Sequence, residues 1–118
     1  MKLQLFLTRI DKCSQVVQSK RLLQALLRHR VLAGAEHRQV LSRELSVVVD
    51  IGANRGQFAL AVRQWAPKAR VISFEPLPGA ASIFCRVFSG DDRVLLHRAA
   101  IGPRPEWRTM HVSGKDDS

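Results

Sequence analysis

Asp50, Gly52, Asn54 and Gly56, spaced two apart, and Glu75 further along are the residues of this chain whose types and spacing carry chemistry. A carboxylate followed by a glycine-rich turn lets a ligand approach the backbone closely, because glycine has no side chain and adopts left-handed angles. After the turn, Phe58, Leu60, Ala61, Val62 and Trp65 recur at roughly helical spacing. The turn therefore opens a helix whose N-terminus points at that ligand. Before it, Val47, Val48 and Val49 form a continuous apolar run, which suits a strand buried on both faces. Glu75 closes a second strand-like run over 70–76 and lies 23 positions after Gly52. A carboxylate about 20 residues past the first glycine, at the tip of the second strand, is placed to accept two adjacent hydroxyls of a ribose. Two hydroxyls are two donors, and a carboxylate has two acceptor oxygens.

The turn spacing separates two ligand classes. The dinucleotide fingerprint G-x-G-x-x-G has its third glycine one place later than this chain does, which disfavours a nicotinamide-dependent enzyme. The pattern here is D-x-G-x-N-x-G. It resembles motif I of the class I S-adenosylmethionine-dependent methyltransferases. Asn54 stands where those proteins usually have glycine; asparagine tolerates the left-handed conformation better than most residues, so the turn can still close.

The pairing of DIGANRGQF at 50–58 with FEP at 74–76 resembles the FkbM-type methyltransferase family, and HRAAIG at 97–102 is similar to that family's third-strand end. The resemblance covers residues 47–102, about half of the chain. It implies S-adenosylmethionine as cofactor, with Asp50, Gly52, Asn54 and Gly56 at its methionine end, Glu75 on its ribose, and the Ala99 and Ala100 backbone near its adenine. It further implies O-methylation of a small-molecule hydroxyl, on a sugar or a natural-product scaffold. No residue reads as the general base. His97 and His111 are candidates by type alone, and the family's acidic motif on a fourth strand is absent from this sequence.

The elements that must position these residues follow from periodicity. Residues 1–32 carry apolar positions three and four apart, from Leu3 and Phe6 to Leu27 and Val31, which predicts an amphipathic helix with one break. A short helix is expected over 36–45. A helix then runs from the turn to Trp65, ended by Pro67, because the residue before proline avoids helical angles. A strand over 70–76, a helix over 79–88 and a strand over 94–100 follow. Residues 107–112 alternate and predict one further, half-exposed strand. The order gives an α/β, Rossmann-like class I methyltransferase fold, truncated to its first three parallel strands in the order 3-2-1 plus that further strand. A basic helical lead-in over 1–46 precedes the partial domain over 47–118.

The 118 residues carry a net charge of +9. Residues 1–46 hold nine Lys or Arg against three acids. Phe6 is the only aromatic residue in that lead-in, so it lacks the interleaved stacking groups of a nucleic-acid platform. There is no apolar run near the ~20 residues of a membrane span, and the opening residues are too short and interrupted for a secretory leader; a cytoplasmic protein is expected. Cys13 and Cys85 are expected to be free, buried thiols, and the four histidines show no metal-ligand spacing. On this reading the chain is a cofactor-binding half. By itself it is expected to be inactive and to self-associate through an uncovered edge of its first strand. The alternative is a non-catalytic cofactor-binding fragment or partner subunit.

Overall fold

The computed structural model describes residues 20–29, 31 and 37–114. The elements are α1 (Lys20–His29), α2 (Arg38–Leu41), β1 (Val47–Ile51), α3 (Gln57–Trp65), β2 (Arg70–Phe74), α4 (Pro78–Val87) and β3 (Val94–His97). The three strands form one parallel sheet in the order β1-β2-β3, with Val49 opposite Ile72 and Ile72 opposite Leu95. This is the α/β arrangement expected from the sequence. Residues 1–19 of the expected N-terminal helix, with Cys13, lie outside the described residues.

Alternation along the strands decides what each face carries. Val48, Val71, Ser73, Val94 and Leu96 point toward α3 and α4 and are buried or half-buried. On α3 the small residues Ala59 and Ala61 are fully buried beside Leu60 and Val62. Small side chains let the helix axis approach its neighbours, and α2 closes the other side of α3. On α4, Ala81, Phe84 and Val87 are buried, and Phe88 just beyond joins them. Burying a side chain of the size of Phe84 contributes about 1.5–3 kcal/mol.

Four expectations are corrected. β1 is covered on one face only: Val47 is 52% exposed and Val49 55%, because both crossover helices lie on the opposite face. Cys85 is exposed, since positions 84 and 87 take the inward side of α4. Residues 107–112 form no strand: among the described residues no neighbour pairs with them, and Trp107 is fully exposed. Alternation marks a segment that could pair; a strand also needs a partner's N–H and C=O groups. Likewise β3 stops at His97, where Ala99 N–H turns back to donate to the His97 carbonyl at 2.9 Å.

The loop between α4 and β3 is fastened by one ion pair. Arg63 Nε donates to Asp91 Oδ2 at 2.8 Å, both side chains being largely buried, and the same guanidinium reaches the Pro67 carbonyl. Asp91 Oδ1 also accepts from Arg93 N–H at 3.1 Å, which sets the turn into β3. Arg63→Ala is expected to lower the unfolding free energy by about 3 kcal/mol, the cost of removing one partner of a buried pair. A urea titration should show a lower midpoint at an unchanged slope; an unmoved midpoint would show that the pair contributes nothing.

Candidate functional site

The carboxyl ends of β1 and β2 meet at the turn 52–56. Gly52, Asn54 and Gly56 all adopt positive φ, at 78°, 50° and 102°. The alternate spacing read in the sequence is therefore the spacing of the left-handed residues themselves. The one non-glycine among them is asparagine, which accepts that region most readily.

The turn's own N–H groups are spent inside the chain. Gly52 and Ala53 N–H both donate to the Phe74 carbonyl, at 2.9 and 3.0 Å. Asn54 N–H donates to Glu75 Oε2 at 2.8 Å, and Leu77 N–H donates to Glu75 Oε1 at 2.8 Å. Glu75 is 5% exposed and its own N–H is held by the His97 carbonyl at 3.0 Å. One carboxylate thus ties the β1 turn to the start of α4. Each of its oxygens keeps a second lone-pair direction.

Asp50 is 8% exposed and sits beside Ser73, its register partner on β2, whose Oγ lies 3.5 Å from Asp50 Oδ2. Burial pushes the Asp50 carboxyl above its ordinary value; the Ser73 hydroxyl draws it down, and the nearby Glu75 charge raises it again. The folded state therefore holds this proton more tightly than the unfolded chain. Asp50 contributes most to stability below its ordinary value, and that contribution is lost as the pH rises through the folded one. Asp50→Asn is expected to unfold at a higher temperature than the parent at pH 7. The gap should close below about pH 4. An Asp50→Asn protein less stable than the parent at pH 7 would contradict this.

A cleft of about 790 Å³ opens at the turn. Gly52, Asn54 and Glu75 line it, together with Arg55, the outer face of α4 from Gly79 to Arg86, and residues 110–113. A Cβ built on Gly52 would meet nothing within 4 Å, so the turn is open on that side. Gly56 serves differently: it is buried at the start of α3, where a Cβ would come within 2.5 Å of Phe88 Cε2. Asp50 lies behind the turn. Ala99 and Ala100 are exposed and stand outside the lining. Of the two histidines, His111 lines the cleft, whereas His97 stacks on Phe74 at 5.0 Å outside it.

Sequence reasoning missed Ser73, Leu77 and, apart from His111, residues 110–113. Ser73 carries a signal in hindsight, as a hydroxyl at an inward position between the apolar Val71 and the acid at 75. Leu77 contributes a backbone N–H, which no side-chain pattern reveals.

Residues 50–118 match the methyltransferase FkbM domain. The chain is similar to the 2-O-methyltransferase NoeI of Sinorhizobium fredii, 39% identical over 84 residues, which is 68% of this chain and 34% of that protein. It is also similar to the AMB antimetabolite synthetase AmbE of Pseudomonas aeruginosa, 56% identical over 32 residues, covering 27% of this chain and 2% of that protein. The chain thus spans about a third of the length of the first relative.

Proposed function

The chain belongs to the FkbM methyltransferase family, and from that premise we propose that it binds S-adenosylmethionine and serves O-methylation of a hydroxylated small molecule. The observation that carries the cofactor assignment is the engagement of the turn. Gly52, Ala53 and Asn54 N–H groups are already used within the chain. A pyrophosphate approaching the turn would find these three donors spent, and only the helix N-terminus left to it. What stands at the two strand ends instead is a pair of carboxylates, Asp50 and Glu75. That charge suits a cationic ligand rich in hydroxyls and repels phosphate.

In this reading S-adenosylmethionine supplies a methyl group on a sulfonium, the electrophile of an in-line displacement. The chain's residues bind and orient. Glu75, fixed by two backbone donors, accepts the ribose hydroxyls through its remaining lone pairs. Gly52 and Asn54 let the methionine end lie against the backbone, and Gly56 seats the helix behind them. An ammonium near Asp50 favours its ionised form and offsets the cost of burying that charge. The acceptor hydroxyl must lose a proton as the new C–O bond forms.

The name of NoeI, a 2-O-methyltransferase, supports oxygen as the acceptor atom. A methyl-transfer assay tests this: fused to the fourth-strand half of an FkbM methyltransferase domain and incubated with cofactor and a panel of glycosides, the chain should return products heavier by one methylene and carrying a base-stable ether, whereas the chain by itself is expected to return none. Methyl transfer confined to carboxyl or nitrogen acceptors would overturn it.

A further inference from the structure

Outside the cofactor cleft, a second and much more polar cavity of about 270 Å³ lies between α1 and α4. Arg28 and His29 reach it from the last turn of α1, and Arg86 and Ser89 from the end of α4; Gln24 adds an amide. Among the described residues no carboxylate lines it. We propose that this cavity is a binding site for a phosphate monoester, held by the Arg28 and Arg86 guanidinium groups.

The plainer reading is that these cations complement two helix C-termini. Each C-terminus carries roughly −0.5 of a charge, so two of them offset about one of the two guanidinium charges, before His29 is counted. Three carbonyls near these helix ends already have backbone partners and do not need the cations. Ala25 accepts from Val31 N–H at 3.1 Å, Phe84 from Phe88 N–H at 3.0 Å, and Arg86 from Ser89 N–H at 3.4 Å. Arg28, His29 and Arg86 make no ion pair or side-chain hydrogen bond among the described residues. The cavity therefore keeps a net positive charge with unspent donors. Guanidinium groups match a phosphoryl oxygen pair bidentately, and a hydroxyl and an amide complete the donor set around it. By volume it holds about nine waters, enough for a phosphoryl group and the first atoms of whatever bears it. Arg86 also lines the cofactor cleft, so the two sites adjoin at that side chain.

The test is a titration of the protein with inorganic phosphate, followed by backbone amide chemical shifts, in three forms. Phosphate should shift the amides of residues 24–29 and 86–89 in the parent. Arg28→Gln with Arg86→Gln should weaken this about tenfold or more, given the strength of hydrogen bonds to charged groups. Lys68→Gln with Arg70→Gln removes the same charge from exposed positions elsewhere and should change nothing. Equal weakening in both double variants would show diffuse attraction to a basic protein, and would overturn the site. Sedimentation with phosphatidylcholine vesicles, with and without phosphatidylinositol 4-phosphate, identifies the source. Binding that needs the phosphoinositide and both arginines assigns a lipid headgroup; phosphate binding without vesicle binding assigns a soluble ester. Binding of S-adenosylhomocysteine, measured in parallel on the Arg28→Gln single variant, whose substitution lies outside the cofactor cleft, reports on that cleft independently.

Discussion

Gly56→Ala is expected to destabilise the fold by about 2–6 kcal/mol. Two separate costs add. At φ 102° an L-residue is strained, and backbone strain of this kind costs about 1–3 kcal/mol. The new methyl group would also sit 2.5 Å from Phe88 Cε2 and 3.2 Å from Phe84 Cδ2. Both rings are buried and lie against each other with centroids 4.6 Å apart, so neither moves freely. Overpacking of this kind costs about 1–3 kcal/mol. The expected record is a urea midpoint far below the parent's and a loss of cofactor binding that tracks the unfolded fraction. Gly52→Ala gives the contrast. Its φ is also positive, but nothing lies within 4 Å of the added carbon, so only the strain cost applies. Equal destabilisation by the two substitutions would show that the Phe84–Phe88 wall is irrelevant.

Glu75→Ala is expected to act twice. It removes the acceptor of Asn54 N–H and of Leu77 N–H. Leaving a buried donor unpaired costs about 1–3 kcal/mol. The cleft borders this position, so water can partly replace the carboxylate, and a total near 2–3 kcal/mol is expected. On binding, loss of two hydrogen bonds to a charged group should weaken S-adenosylhomocysteine tenfold or more. Glu75→Gln keeps one acceptor and turns an NH₂ toward a backbone N–H, so it should fall between. A folded Glu75→Ala protein with an unchanged dissociation constant would reduce Glu75 to a clamp between the turn and α4.

The parts of the fold that were legible in the sequence are those set by local chemistry. Gly52, Asn54 and Gly56 announced left-handed backbone because few other residues accept it. Pro67 ended α3 where proline must, with Trp65 as the last helical residue. Glu75 was found because a strand-ending carboxylate has a fixed distance from the turn. What could not be read depends on partners distant in sequence. The exposure of Val47 and Val49 reflects which face the crossover helices cover, and an apolar run looks the same either way. Residues 107–112 show strand alternation without strand pairing. The second role of Glu75, holding Leu77, rests on a backbone donor with no signature in residue type. Residues 110–113 reach the cleft across an irregular segment whose path no periodicity describes.

Calorimetric titration of the protein with S-adenosylmethionine, S-adenosylhomocysteine and NAD tests the cofactor assignment most directly. The two sulfur ligands should bind, and Glu75→Gln should weaken both. NAD should bind far more weakly or not at all, because the Gly52, Ala53 and Asn54 N–H groups are already engaged and the Glu75 carboxylate lines the cleft. Tighter binding of NAD than of either sulfur ligand would contradict the assignment.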